Sequence, residues 1–195
     1  MNKYLTDIPK RIETERLYLR SYKAGDGAIY YAASLRNRIH LAEFESGNVL
    51  MQLKDEEDSE ATVRELAAIW ATRECFFIGV FEKNTDEWVG QVYVGPTNWE
   101  LPEFTIGYVA DVNHQKKGYI SEAVKGVLKM LFEDVGAHRV KSDCNESNVR
   151  SIRLLERCGF RREGHILDNR KNPDGSFHGD FLYAILRREY FNQTG

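Results

Sequence analysis

Asn113-His114-Gln115-Lys116-Lys117-Gly118-Tyr119-Ile120-Ser121-Glu122-Ala123 separates two different hydrophobic periods. Ahead of it, Phe104-Thr105-Ile106-Gly107-Tyr108-Val109-Ala110 has the β-branched and aromatic bias of a buried strand. Behind it, Val124, Val127, Leu128 and Leu131 recur at i, i+3, i+4 and i+7, one face of a helix. A strand therefore runs into a short polar loop that opens a helix. The first turn of such a helix has N–H groups without acceptors and the positive end of the macrodipole. Gly118 lets a ligand approach the backbone, and Lys116 and Lys117 add positive charge, so the loop suits a phosphate or pyrophosphate. A plain solvated helix start explains the same residues. The common phosphate fingerprints are absent: Lys117-Gly118 is followed by Tyr119, which breaks a P-loop, and there is no G-x-G-x-x-G.

Composition narrows the class. A chain of 195 residues with 42% hydrophobic and 29% charged content reads as one soluble domain, spanning 1–195, with a sizeable core. A net charge of −3 gives no footprint for nucleic acid or an anionic membrane, so any phosphate site must be local. The three cysteines, Cys75, Cys144 and Cys158, form no C-x-x-C pair. They fit small buried hydrophobes in a reducing cytoplasm better than disulfides or a zinc site. The start of the chain has no apolar signal core, and no apolar run reaches the ~18 residues of a membrane span.

Along the chain, residues 12–22 alternate around Leu17 and Leu19 and predict a first strand. Asp26 is placed to cap a helix through Ile29, Tyr30 and Ala33. The acidic run 54–58 precedes a second helical pattern at Val63, Leu66, Ala67 and Trp70, where negative charge favours a helix start over a metal site. Cys75–Phe81 and Trp88–Val94 predict a hairpin. The helix after Gly118 should end near Gly136, with a short strand at His138–Ser142. A helix from Asn148 to Arg157 should close on Gly159 in the left-handed conformation. A turn at 172–176 and a buried strand at Phe181–Leu186 complete the order. This is a mixed α/β layer protein.

Gln115-x-x-Gly118-x-Ile120 resembles the Q/R-x-x-G-x-G/A acetyl-CoA loop of the GNAT N-acetyltransferase superfamily, with Ile120 where Gly or Ala is usual. Gln115–Ala123 and Thr14–Arg20 are similar to the branch that acetylates ribosomal-protein N-termini at alanine or serine. Asn148, Ser151, Gly159, Phe160 and Gly164 match the family's N-x-x-S…G-F…E-G pattern, and Asp180 falls where the branch has an Asp before its last strand. The resemblance implies the GNAT fold: a mostly antiparallel sheet of about seven strands with flanking helices, splayed at the acetyl-CoA site.

It also implies site residues. The backbone of Tyr108 and Ala110 would pair with the pantetheine arm, with an oxyanion donor near Val109. Gln115, Lys116, Lys117, Gly118, Tyr119 and Ile120 would take the pyrophosphate, and Asn148 would fix the arm. Ser151 would serve the departing sulfur, and Glu103, with Glu100 and Glu122 as alternatives, would draw the proton from the amine. For Asn148 and Ser151 a capping role is the competing account, and for the glutamates a surface one. The expected activity is transfer of acetyl from acetyl-CoA to an amine, without a metal and by a monomer or homodimer. A protein α-amine, titrating near ~8 against ~10.4 for lysine, needs the weaker base. A small amine such as a polyamine, amino acid or aminoglycoside is the alternative acceptor. A non-catalytic acyl-CoA-binding protein is the alternative class.

Overall fold

The computed structural model describes residues 2–171 and 175–194. Its strands are β1 (Arg11–Glu13), β2 (Leu17–Ser21), β3 (Phe76–Glu82), β4 (Trp88–Asn98), β5 (Glu103–Ala110), β6 (Arg139–Asn145), β7 (Arg161–Lys171) and β8 (Phe177–Leu186). They form one sheet in the order β1-β2-β3-β4-β5-β6-β8-β7. Every neighbouring pair is antiparallel except β5 and β6. The helices are α1 (Gly27–Phe44), α2 (Val49–Gln52), α3 (Glu56–Thr72), α4 (Tyr119–Lys129, continued by a π-helical stretch Met130–Val135), α5 (Val149–Arg157) and α6 (Arg187–Thr194). No helix among the described residues is long and apolar enough to cross a membrane.

The sheet is mixed and mostly antiparallel as expected, but it has eight strands, because the single strand read at 12–22 folds back on itself. Thr14 makes the turn. Its N–H donates to Leu17 O at 2.9 Å, and its Oγ1 accepts from Leu17 N at 3.1 Å. Leu17 and Leu19 are fully buried in the strand that follows. Asp26 does not cap α1. Its carboxylate is bidentate with Arg20, at 2.6 and 2.9 Å, and accepts from Lys23 N at 2.9 Å. Glu60 of α3 does the capping from outside, accepting from Gly25 N and Gly27 N at 3.0 Å. The acidic run behaves as read, with Asp55 accepting from Asp58 N at 2.8 Å at the start of α3. Helices α2 and α6 are additions to the sequence reading, and the turn expected at 172–176 lies in part outside the described residues.

Alternation places apolar side chains on both faces of the sheet. One core joins Leu17, Leu19, Ile78, Val80, Val92, Phe104 and Ile106 to α4 and α5, and includes the predicted stripe Val124, Val127, Leu128 and Leu131. The other joins Tyr18, Tyr22, Phe81, Trp88 and Val109 to Tyr30 and Leu41 of α1 and Val63 and Leu66 of α3. Cys144 and Cys158 are buried free thiols and Cys75 is half-buried. Burial pushes the Cys144 and Cys158 thiols up to about 11, which suits packing rather than nucleophilic chemistry.

The feature that makes a site is the parallel pair. Strands β5 and β6 are in register only at Glu103–Arg139, Phe104–Val140 and Thr105–Lys141. Beyond that Ser142 Oγ donates to Ile106 O at 3.0 Å, and the two strands part. Strand β5 stays paired to β4 as far as Ala110. Its other edge, from Gly107 onward, borders an open wedge.

Candidate functional site

The wedge opens into a cleft of about 1100 Å³ walled by α1, β5, the loop before α4, β6, α5 and β8. Ten of the twelve residues singled out from sequence line it: Tyr108, Val109, Ala110, Gln115, Lys116, Gly118, Tyr119, Ile120, Asn148 and Ser151. Lys117 and Glu103 are not among the lining residues.

The loop is built by two left-handed residues, Lys116 at φ +63° and Gly118 at φ +81°. The second is the N-cap of α4, where a β-carbon would be strained. The amides of the first turn thus open toward the cleft at the positive end of the helix. Ile120 does not crowd this loop. Its side chain is 6% exposed and turns into the core over Gly90, where an added β-carbon would lie 2.4 Å from Ile120 Cδ1. A glycine on β4 makes room for the unusual isoleucine.

From the other wall, Asn148 caps α5, its Oδ1 accepting from Ser151 N at 3.1 Å. The capping account of Asn148 is therefore observed, and its side-chain N–H₂ is what it has to offer a ligand. Ser151 does not cap with its hydroxyl. Its Oγ lies 2.7 Å from the Tyr108 hydroxyl, across the wedge from β5 to α5. Burial raises the Tyr108 phenol well above its ordinary value, so it stays a proton donor. Sequence reading used only the backbone of Tyr108. Nothing in a strand pattern reveals which helix a side chain will meet.

Glu103 sits apart, at the closed end of the β5–β6 pair. It is held by Lys141 at 2.8 Å, Arg139 at 3.3 Å and Thr97 at 2.9 Å. The Lys141 hydrogen bond, helped by Thr97 and Arg139, outweighs burial and keeps its carboxyl below the usual range. That is the opposite of what a general base at neutral pH requires. Glu122 is also committed, and Glu100 stands on an exposed turn. Among the described residues, the carboxylates that do line the cleft are Glu43, Glu45, Asp143 and Asp180. The first two had a signal in the sequence: they crowd the C-terminal end of α1, which has no basic residue in its last turn, where the dipole disfavours negative charge.

Comparison with known proteins agrees with this geometry. A family model described as an acetyltransferase (GNAT) domain matches residues 16–161. The uncharacterized N-acetyltransferase YnaD of Bacillus subtilis is 29% identical over 189 residues, which cover 92% of this chain and 98% of that protein. The Escherichia coli ribosomal protein uS5-alanine N-acetyltransferase is 26% identical over 197 residues, 96% of each chain. Among solved structures, Mycobacterium smegmatis RimJ in complex with CoA-disulfide shares the fold, with a TM-score of 0.81 at 23% identity. The match covers 97% of this chain and 91% of that one. With the family model spanning most of its length, the chain belongs to the GNAT family and is an N-acetyltransferase.

Proposed function

We propose that residues 1–195 act as one cytoplasmic acetyltransferase unit that moves acetyl from acetyl-CoA, the cosubstrate of GNAT enzymes, to the α-amine of a protein N-terminus of the ribosomal type. The observation that carries this reading is the free edge of β5 ending at a glycine-opened helix start. A pantetheine arm can add to that edge as a strand would, and the pyrophosphate can rest on the first turn of α4. Lys116 and Arg150 stand beside it, Arg150 reaching Gln115 at 2.9 Å.

The chemistry follows from those positions. The neutral amine attacks the thioester carbon, and a backbone N–H near Val109 meets the oxyanion. The C–S bond then breaks, its electron pair leaving on sulfur, where Ser151 donates with the Tyr108 hydroxyl behind it. The amine proton leaves to water. No dedicated base is assigned, because Glu103 lies outside the cleft wall. An α-amine titrating near ~8 is suited to such a site. The likeness in length and sequence to the uS5-alanine enzyme supports the protein acceptor. A small cationic amine is the second reading, favoured by the carboxylates in the cleft.

Replacing Gly118 by Val should block the approach of the pyrophosphate and weaken acetyl-CoA binding at least about tenfold, the loss of roughly 1.4 kcal/mol. Calorimetry on a variant shown to be folded by its melting curve checks this. Unchanged affinity removes the loop from the site. Thiol release with ribosomal proteins and with small amines, followed by mass spectrometry of the acetylated group, decides the acceptor.

A further inference from the structure

The cleft is electrically two-sided. Around the coenzyme loop and α5 stand Lys116, Arg150, Arg153 and Arg157, with Arg150 on Gln115 and Arg157 reaching Ser121 Oγ at 3.4 Å. Also on the cleft wall are Glu45 just past α1, Asp143 on β6 and Asp180 on β8, with Arg170 of β7 among them. Arg170 is shared, 2.7 Å from Asp180 and 3.1 Å from Asp143. Among the described residues, three carboxylates thus act on one guanidinium.

Asp180 is incompletely satisfied. The residue is 2% exposed, and its Oδ2 takes Arg170 Nε at 2.7 Å and Asn169 Nδ2 at 2.8 Å. Among the described residues its Oδ1 has no hydrogen-bond partner, and neither does Nδ1 of His178, which also lines the cleft. A buried carboxylate oxygen without a donor is costly, and a ligand ammonium or guanidinium would supply one. Asp180 nevertheless remains ionised: burial opposes charge, but the Arg170 and Asn169 hydrogen bonds outweigh it. Glu45 is exposed in its own right, yet the surrounding protein raises its carboxyl. Asp143 and Asp180 push the same way and Arg170 pulls against them. Among the described residues no three acids or histidines converge closely enough to hold a metal ion.

We infer that this end of the cleft is an acceptor subsite for amines with a second positive charge: one nitrogen is acetylated near Ser151 while an ammonium or guanidinium is held by Asp180 and Glu45. The inference rests on the acetyl-transfer reading and specifies its substrate class. A free polyamine and a protein N-terminus followed by a basic residue share this chemistry.

The test compares acceptors matched in length and differing in one charge. One arm sets butylamine against 1,4-diaminobutane, and the other sets a peptide opening Ala-norleucine against one opening Ala-Lys. The dication of at least one pair should be favoured by about tenfold or more in kcat/KM, as expected for a charge met by carboxylates in a partly dry cleft. Glu45→Gln, at an exposed position that keeps its shape, should cut that preference to about threefold or less through acceptor KM, with the KM for acetyl-CoA little changed. Asp180→Asn should do the same where it folds. Preference in the first arm alone names a small amine, and in the second alone a peptide. Equal use of both members in both pairs, or a preference that survives Glu45→Gln, overturns the subsite. Calorimetry of the same amines without coenzyme separates the two claims. If the wild type neither binds acetyl-CoA nor releases thiol, the acetyl-transfer reading fails. Tighter binding of the dication would then still support the charge subsite, and equal binding would sink it.

Discussion

At the scale of single residues, Asn148 and Ser151 take different roles at the start of α5. Asn148 Oδ1 satisfies the Ser151 amide, so the cap belongs to asparagine. The Ser151 hydroxyl is left facing Tyr108 across the wedge. Asn148→Ala should therefore cost about 1 kcal/mol of stability. Ser151→Ala should leave the melting temperature nearly unchanged and lower kcat by on the order of 10²-fold, because the donor matters as negative charge gathers on sulfur. Acetyl-CoA affinity should hold in the serine variant, since the interaction strengthens in the transition state. Melting and turnover measured on one preparation settle it. A normal kcat with lowered stability would make Ser151 structural.

At the scale of elements, the loop before α4, the proposed coenzyme site, is braced from the far end of the chain. Glu122 in the first turn of α4 accepts from Thr14 Oγ1 at 2.6 Å and from Arg16 N at 2.8 Å, and pairs with Arg16 Nε at 2.7 Å. Arg16 Nη1 also donates to Lys117 O at 3.0 Å and so holds the loop itself. The β1–β2 turn is thus a clasp on the start of α4. Arg16→Ala should raise the dissociation constant of acetyl-CoA by about fivefold, the equivalent of about 1 kcal/mol of lost positioning. Its melting point should fall little, because the Arg16 side chain is 42% exposed and surface pairs contribute weakly. An unchanged dissociation constant would show that the loop holds its shape without the clasp.

For the molecule as a whole, several partnered carboxylates fix the response to acid. Burial opposes ionisation of Asp111, Glu122 and Asp180, yet Arg36, Thr14 with Arg16, and Arg170 respectively hold each carboxyl below its ordinary value. Their folded values lie below the unfolded 3.8 for Asp and 4.5 for Glu, so below that range the unfolded chain binds more protons. The stability they contribute is full above about pH 5 and is lost as pH falls through the folded values. Calorimetric melts should show a falling Tm below about pH 4.5, with a smaller fall in Glu122→Gln. A Tm that stays level down to about pH 3 would show these pairs to be energetically idle.

Local chemistry was enough for much of this. Gly118 between a β-rich run and the Val124–Leu131 stripe determines a strand, a tight loop and an amphipathic helix, because backbone freedom and apolar period act within a few residues. The acidic start of α3 and the cap at Asn148 follow from the same short-range rules. Contacts between distant segments do not. Only the folded chain shows that Thr14 turns a strand into a hairpin and then reaches Glu122, or that Gly90 accommodates Ile120. The same holds for Glu103. The family resemblance suggested a base there, but the parallel pairing with β6 delivers Arg139 and Lys141 to it and leaves it at the closed end of the wedge. The acid group of Glu45, Asp143 and Asp180 comes from three elements more than a hundred residues apart at the extremes. No local pattern brings such groups together. The parting of β5 from β6 does, because two strands that lose register must open a space, and whatever side chains border it become the site.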